Sequence, residues 1–159
     1  MIKDNTYEKT ETILWNYNRM KKSVIYLQEK LNKLVHEKEN LAKTIIKSKR
    51  VVLREENQNY YYTDETLENS INELKQLIIK TKAEISFIDK CISELKDDEY
   101  YEIISMWYFK GKREGYTREK IAEYYDCDVD TVTRNRKRLV NKLKFLLFAK
   151  DSIHNLIEK

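Results

Sequence analysis

Basic side chains are concentrated in one stretch near the end of the chain. From Thr131 to Lys150 the sequence contains seven Lys or Arg residues and no Asp or Glu. Val132, Leu139 and Leu143 recur at helical spacing and give this stretch one apolar face. Asp128 is a candidate N-cap, because its carboxylate can accept an unpartnered N–H of the first helical turn. A helix that is apolar on one face and neutral or cationic elsewhere is suited to binding a polyanion.

A second, shorter helix is predicted directly before the basic one. Thr117 is its candidate N-cap, and Ile121, Ala122 and Tyr125 share one face. Asp126 falls where the chain must turn sharply, and Asp tolerates the left-handed conformation better than most residues. A short helix, a tight turn and a longer basic helix are typical of a helix-turn-helix. The alternative is an ordinary helical hairpin, but the acid-free basic face and the Ile-Ala pair argue against it.

The helix-turn-helix interpretation predicts a set of contacts with DNA. The first exposed residues of the second helix meet base edges, and flanking groups hold phosphates. Arg134 has the geometry for a bidentate contact with guanine, while threonine methyl groups can contact thymine. The predicted base-reading residues are Asp130, Thr131, Thr133, Arg134 and Lys137. The predicted phosphate-binding residues are Thr117, Arg118, Arg136, Arg138 and Lys142.

Two long apolar seams occupy the first hundred residues. Their residues recur at alternating spacings of three and four, which is the heptad pattern of paired helices. The pattern predicts helices over about 7–55 and 64–96, joined by a loop at Asn57–Asp64 with Thr63 or Asp64 as the next N-cap. The first seam comprises Tyr17, Met20, Val24, Leu27, Leu31, Leu34, Lys38, Leu41, Ile45, Ser48 and Val52, and the second Leu67, Ile71, Leu74, Ile78, Thr81, Ile85, Ile88, Ile92 and Leu95.

A turn at about Tyr60 fixes an expected register for this antiparallel hairpin. Leu34 should pack near Ile88, and Lys38 should lie within reach of Thr81 or Glu84. Residues before about Tyr26 then have no partner in the hairpin and must pack on the C-terminal region or on a second copy of the chain. With the apolar Ile79 and Phe87, this overhang makes a homodimer a candidate; its residues are Ile13, Leu14, Trp15, Tyr17 and Met20.

The whole chain is predicted to be all-α. It has 159 residues, no proline and only two glycines, so helices can run far without a breaker. The predicted domains are a helical hairpin over 1–96 and a three-helix DNA-binding domain over 97–159. Asp97–Glu99 should begin the first helix of the second domain, which should run through Phe109 and end at Gly111. Asp151–Lys159 is expected to form a short helical tail.

The sequence offers no catalytic constellation, so an enzyme is not expected. His36 and His154 lack nucleophile or ligand partners at useful spacing. The nearest candidate for a metal site is the group of Asp126, Asp128 and Asp130, and helix capping explains these acids better. No cofactor is expected either, because no glycine-rich phosphate loop is present.

The expected compartment is the cytoplasm. Cys91 and Cys127 lie far apart on apolar helix faces, which indicates reduced core thiols rather than a structural disulfide. The first residues have no apolar stretch typical of a signal peptide. No apolar run approaches the length that spans a bilayer, so no membrane association is expected.

The last third of the chain resembles the fourth region of bacterial sigma factors. That region has a first helix ending in an aromatic pair and Gly, then Thr-Glu-Ile-Ala, a tight turn and a basic helix. The turn departs from the usual pattern, since Asp126 and Asp128 stand where Gly and Ser are common. The matching elements are Glu99, Ile103, Tyr108-Phe109, Gly111, Thr117, Glu119–Ala122, Val132 and Leu139.

The overall layout also resembles phage late-gene regulators of the RinA/ArpU type, which join an N-terminal helical region to a sigma-like helix-turn-helix. This resemblance implies a sequence-specific transcription regulator that binds double-stranded DNA, with RNA polymerase as a further candidate partner. A complete sigma factor is not expected, because the first hundred residues lack a basic-aromatic cluster that could melt promoter DNA. Two alternatives remain open: a phage DNA-packaging protein like the small terminase subunit, and a coiled-coil interaction protein without DNA binding.

Overall fold

The computed structural model describes the backbone of residues 5–48 and 54–149. Within these ranges the chain forms helices joined by turns, with no β-strand, so the predicted all-α class is confirmed. The long helices are α1 (Thr6–Ser48) and α2 (Arg54–Ser93). The short helix α3 (Glu102–Ile104) passes directly into a π-helix (Ser105–Lys110), and a 3-10 turn follows at Lys112–Glu114. The last two helices are α4 (Arg118–Tyr124) and α5 (Val129–Leu147).

No described helix is long and apolar enough to cross a membrane. The predicted tail at Asp151–Lys159 lies outside the described residues, as does the segment that joins α1 to α2. The described residues divide into two units. The hairpin unit is Met20–Glu84. The discontinuous unit combines the start of α1, up to Arg19, with the chain from Ile85 onwards, so it crosses the predicted domain boundary after residue 96.

The hairpin unit confirms the middle of the predicted apolar seams, while Ile45, Ser48 and Val52 have side chains outside the described part of the chain. Leu31 is buried against Ile71, Leu74 and Ile78, and Leu27, Leu34 and Val35 pack against this cluster. Lys38 Nζ lies 3.7 Å from Glu68 Oε1. Glu68 of α2 lies beside Lys38 of α1, and the later α2 residues Ile71–Ile78 lie beside the earlier α1 residue Leu31. Residue numbers therefore rise along α2 as they fall along α1, so the two helices pair antiparallel within this unit.

The predicted loop and register were wrong. Residues Asn57–Asp64 lie inside α2, which begins at Arg54, so neither Thr63 nor Asp64 caps it. This segment contains neither Gly nor Pro, and its polar composition alone does not break a helix. Because α2 begins at Arg54, ahead of the predicted loop, Lys38 pairs with Glu68 rather than with Thr81 or Glu84.

Leu34 likewise packs against the cluster around Leu31 and Ile71, not near Ile88. The observed register differs from the predicted one by a shift of about two heptads of α2 along α1. Such a shift keeps the same seams facing each other, so the apolar pattern could not exclude the observed register. The side chains of the Tyr60–Tyr62 run lie outside the described residues.

The discontinuous unit buries the start of α1. Leu14 is 1% exposed and Tyr17 is 6% exposed. The Trp15 ring meets the Tyr108 ring edge-on at 4.8 Å, and the Tyr17 ring lies 4.6 Å from that of Phe109. Trp15 and Tyr17 of the predicted overhang therefore pack on the C-terminal region of their own chain, so they give no argument for a second copy.

The segment after α2 also differs from the prediction. Residues 94–101 form turns, and the next helix begins at Glu102 rather than at Asp97. The π-helix Ser105–Lys110 ends at Gly111, whose N–H donates to the Met106 carbonyl over 2.9 Å. Gly111 has φ 65° and ψ −171°, a backbone conformation that is nearly exclusive to glycine, so its expected place after the helix is confirmed.

Candidate nucleic-acid interface

The start of α5 is fixed by the residues predicted to fix it. Asp128 Oδ1 accepts the Thr131 N–H over 2.7 Å, which confirms it as the N-cap. Thr117 Oγ1 accepts the Lys120 N–H over 3.3 Å at the start of α4. Between the two helices Asp126 has φ 49°, the left-handed conformation predicted for the turn.

The apolar faces of α4 and α5 hold the two helices together. Ile121 and Val132 are fully buried, and Ala122 is 5% exposed. The Cys127 N–H donates to the Ala122 carbonyl over 3.0 Å, which closes the turn against α4. Cys127 itself is only half-buried, so it is not the core thiol that was expected, whereas Cys91 is buried. The opposite face of α5 is therefore left to solvent.

One line of α5 residues is exposed to solvent. It consists of Asp130, Arg134, Lys137 and Asn141, whose spacing of four, three and four residues keeps them on one side of a helix. Neither Arg134 nor Lys137 forms an ion pair with any described residue, although Arg134 Nη2 lies 3.4 Å from Thr131 Oγ1. This line, which we call the α5 exposed line, contains three of the five predicted base-reading residues.

The two threonines lie beside this line rather than on it. Thr131 is half-buried on the flank that also carries Arg138, and its carbonyl accepts Asn135 Nδ2 over 2.9 Å. Thr133 is half-buried on the other flank, where its hydroxyl donates to the Val129 carbonyl over 3.1 Å. The Thr133 hydroxyl is thus engaged within the helix.

Arg136 has partners other than the phosphate oxygens predicted for it. Its Nη1 donates to Glu11 Oε1 over 2.8 Å and to Tyr108 Oη over 3.0 Å. Its guanidinium carbon lies 4.5 Å from the centre of the Trp107 ring, in a cation–π arrangement. The Arg136 side chain is only 13% exposed, so it serves to fasten α5 to α1 and to the π-helix.

Tyr108 completes this buried cluster. Its hydroxyl donates to Glu11 Oε1 over 2.6 Å. Burial and that hydrogen bond raise the pKa of Tyr108 well above its ordinary value of 10.0. The hydroxyl therefore stays protonated and bridges Glu11 to Arg136.

Arg138 and Lys142 form a second cluster around Asp98. Arg138 makes two hydrogen bonds to the carboxylate, Nη1 to Oδ2 over 2.6 Å and Nη2 to Oδ1 over 2.9 Å. Lys142 Nζ lies 3.3 Å from Asp98 Oδ2. The Arg138 hydrogen bonds hold the pKa of the Asp98 carboxyl well below its ordinary range. The Arg138 side chain is 40% exposed and that of Lys142 is 53% exposed, so both cations still reach solvent.

The remaining predicted phosphate ligands lie at the start of α4. Thr117 is half-buried and engaged as the N-cap, and Arg118 is exposed. The Arg118 guanidinium carbon is 5.7 Å from the centre of the Trp107 ring. Trp107 therefore has cationic neighbours from both α4 and α5.

Sequence reasoning missed three residues of this region. Asn141 could have been found by extending the helical spacing from Arg134 through two turns. Glu11 and Asp98 could not, because they lie 125 and 40 residues from the arginines they bind. No local pattern marks either acid as a partner of α5.

Among the described residues, no three His, Cys, Asp or Glu side chains form a group that could hold a metal ion. The chain matches no protein-family model, no curated protein and no solved structure.

Proposed function

We propose that this protein is a sequence-specific DNA-binding transcription regulator, in which α4 and α5 act as a helix-turn-helix. The observation that carries the proposal is the α5 exposed line, in which Arg134 and Lys137 are exposed and form no ion pair with a described residue. A helix of this kind enters the major groove with its first exposed residues towards base edges. The absence of acidic residues between Asp130 and Asp151 favours approach to a polyanion.

Each exposed residue has a role that its chemistry allows. Arg134 is suited to a bidentate contact with guanine, and Asn141 is suited to a bidentate contact with N6 and N7 of adenine. Lys137 can bind either a base edge or a phosphate. The Thr131 methyl group, beside the exposed line, can contact a thymine methyl group. Asp130 can accept a hydrogen bond from cytosine.

We expect fewer phosphate contacts than the sequence indicates. The hydrogen bonds of Arg136 to Glu11 and Tyr108 argue against this role for it. Arg118 is exposed and available. Arg138 and Lys142 share Asp98, so a DNA phosphate would have to compete with that carboxylate for them. We therefore expect a modest dependence of affinity on salt concentration.

The test begins with selection of DNA fragments that the protein retains from genomic DNA. Arg134→Ala should then weaken binding to the selected site by about 1–3 kcal/mol and relax preference at one base pair. Titrations on the selected duplex and on a scrambled one, at several salt concentrations, measure both effects.

Lys9→Ala is the matched control, because Lys9 is exposed on α1 of the same unit and outside the interface. Its affinity should equal that of the wild type. If the protein retains no preferred sequence, or if Arg134→Ala and Lys9→Ala bind alike, the proposed function is wrong.

The proposal extends to partners and compartment. Binding to chromosomal or phage DNA places the protein in the cytoplasm, and the sigma-like resemblance makes RNA polymerase a second candidate partner. A homodimer would read two half-sites separated by whole helical turns. It is supported by apolar side chains exposed on the hairpin unit: Ile25, Tyr26, Leu77 and Ile79. Light scattering that gives the monomer mass at high concentration would reject the dimer.

A further inference from the structure

A second candidate site lies apart from the α5 exposed line, within the discontinuous unit. It is an open pocket of about 600 Å³ between the start of α1 and the segment that runs from the π-helix to α4. Its volume is in the range of small-molecule sites. We call it the tryptophan pocket, because both tryptophans of the chain, Trp15 and Trp107, line it.

The wall of the tryptophan pocket is aromatic. Trp15 is 52% exposed, although its ring packs against the Tyr108 ring in an edge-to-face arrangement with 4.8 Å between the ring centres. A large ring that is held in place and left open on one side is a surface on which a planar ligand can stack. Phe109 and Tyr116 extend the same lining.

The rim of the pocket is cationic. Lys110, Lys112, Arg113 and Arg118 line it, and no Asp or Glu belongs to the described lining. Lys112 and Arg113 are exposed and form no ion pair with a described residue, whereas Lys110 lies 5.2 Å from the Tyr116 ring centre. Unpaired cations beside an acid-free cavity favour a ligand that carries negative charge.

An aromatic wall and a cationic rim together select a planar ring that bears an anionic group. We propose that the tryptophan pocket binds one nucleotide, with its base stacked on Trp15 and its phosphate held by Lys112 and Arg113. The nucleotide can be a free nucleoside monophosphate or the phosphorylated end of a single strand, since both present the same chemistry. This site shares only Arg118 with the predicted DNA contacts, so it does not depend on the proposed function.

Intrinsic fluorescence offers a direct test, because both tryptophans of the chain line the pocket. AMP, adenosine, inorganic phosphate and a 5′-phosphorylated single-stranded oligonucleotide would each be titrated into the full-length protein. We expect AMP or the oligonucleotide end to quench the fluorescence and to bind at least about tenfold more tightly than adenosine or phosphate alone. Whichever of the two binds identifies the source of the nucleotide.

Three variants locate the binding. Trp15→Ala removes the stacking ring and Lys112→Ala removes a rim cation, and each should weaken nucleotide binding by about tenfold, measured by calorimetry. Lys120→Ala removes an exposed cation of α4 that does not line the pocket, and it should bind as the wild type does. Circular dichroism checks that the variants remain folded.

The inference is overturned if neither AMP nor the oligonucleotide binds. It is also overturned if inorganic phosphate binds as tightly as AMP, or if Lys112→Ala and Lys120→Ala weaken binding equally. A protein that fails to bind duplex DNA but binds AMP would reject the proposed function and leave this site standing.

Discussion

Two arginines on different sides of α5, Arg136 and Arg138, differ in their exposure and in their partners. Arg136 is 13% exposed and is enclosed by Glu11, Tyr108 and Trp107. Arg138, two residues further on, is 40% exposed and meets a carboxylate, Asp98, that it shares with Lys142. The two arginines therefore differ in exposure, whereas their acids differ the other way, since the Glu11 side chain is 27% exposed and that of Asp98 is 12% exposed.

The difference in exposure of the two arginines distinguishes an ion pair that holds the fold together from one whose cation can exchange partners. Charges enclosed away from water depend on each other, because neither can recover its hydration when the other is removed. Partly exposed charges exchange partners at little cost, since water and salt replace what is lost. On the proposed function, a DNA phosphate would therefore compete for Arg138 and Lys142 but not for Arg136.

Arg136→Ala should have the largest effect. It removes the partner of Glu11 and the cation stacked on Trp107, so the free energy of unfolding should fall by about 3–5 kcal/mol. Urea denaturation followed by circular dichroism measures this loss. Lys137→Ala is the control, because Lys137 is the next residue and is exposed. If the two variants are equally stable, the cluster around Arg136 does not fasten α5.

Asp98→Asn should have an intermediate effect on stability and an opposite effect on binding. Loss of the charge-assisted hydrogen bonds to Arg138 should lower the free energy of unfolding by about 1.5–3 kcal/mol. The same change releases Arg138 and Lys142 to bind phosphates, so affinity for any duplex should rise and depend more steeply on salt. Titrations at several salt concentrations measure this change. Weaker binding of Asp98→Asn to DNA would mean that Asp98 positions these cations rather than competes for them.

Acid should remove the contribution of Asp98 gradually. Its pKa is lower in the folded protein than the ordinary value of 3.8, so the carboxylate stabilises the folded state at neutral pH. That contribution is complete above the unfolded-state pKa and is lost as the pH falls below about 4 towards the folded-state value. The stability of the wild type should therefore decrease more steeply than that of Asp98→Asn over this range. Parallel slopes in urea denaturation at a series of pH values would contradict this assignment.

Lys142→Ala should have the smallest effect on stability, since Lys142 is more than half exposed. The expected change in the free energy of unfolding is at most about 0.5–1 kcal/mol. Its effect on DNA should be uniform across sequences and should lower the salt slope by about one. A loss confined to one sequence would move Lys142 from the phosphate contacts to the base contacts.

Local features were predictable from the sequence, and long-range pairings were not. Asp128 and Thr117 act on backbone groups three residues away, so their capping roles could be read from the chain. Leu31 and Leu74 could be assigned to buried seams. The register of the two helices could not be predicted, because the apolar pattern repeats every heptad and looks the same after a shift of one repeat. Arg136 and Arg138 have the same side chain, and only distant Glu11 and Asp98 distinguish them.

The contact between Glu11 and Arg136 also has a consequence for how the chain folds. Residues 125 apart in sequence must meet before α5 is fully fastened, and closing so long a loop is entropically unfavourable. Pairing of α1 with α2 would shorten that loop, because Tyr17 of α1 donates a hydrogen bond to Asp89 of α2. During synthesis Glu11 is made long before Arg136, so Glu11 lacks this partner until the end of the chain is made. A fragment that begins at residue 97 would lack Glu11 and Trp15, and would leave the charge of Arg136 without its carboxylate.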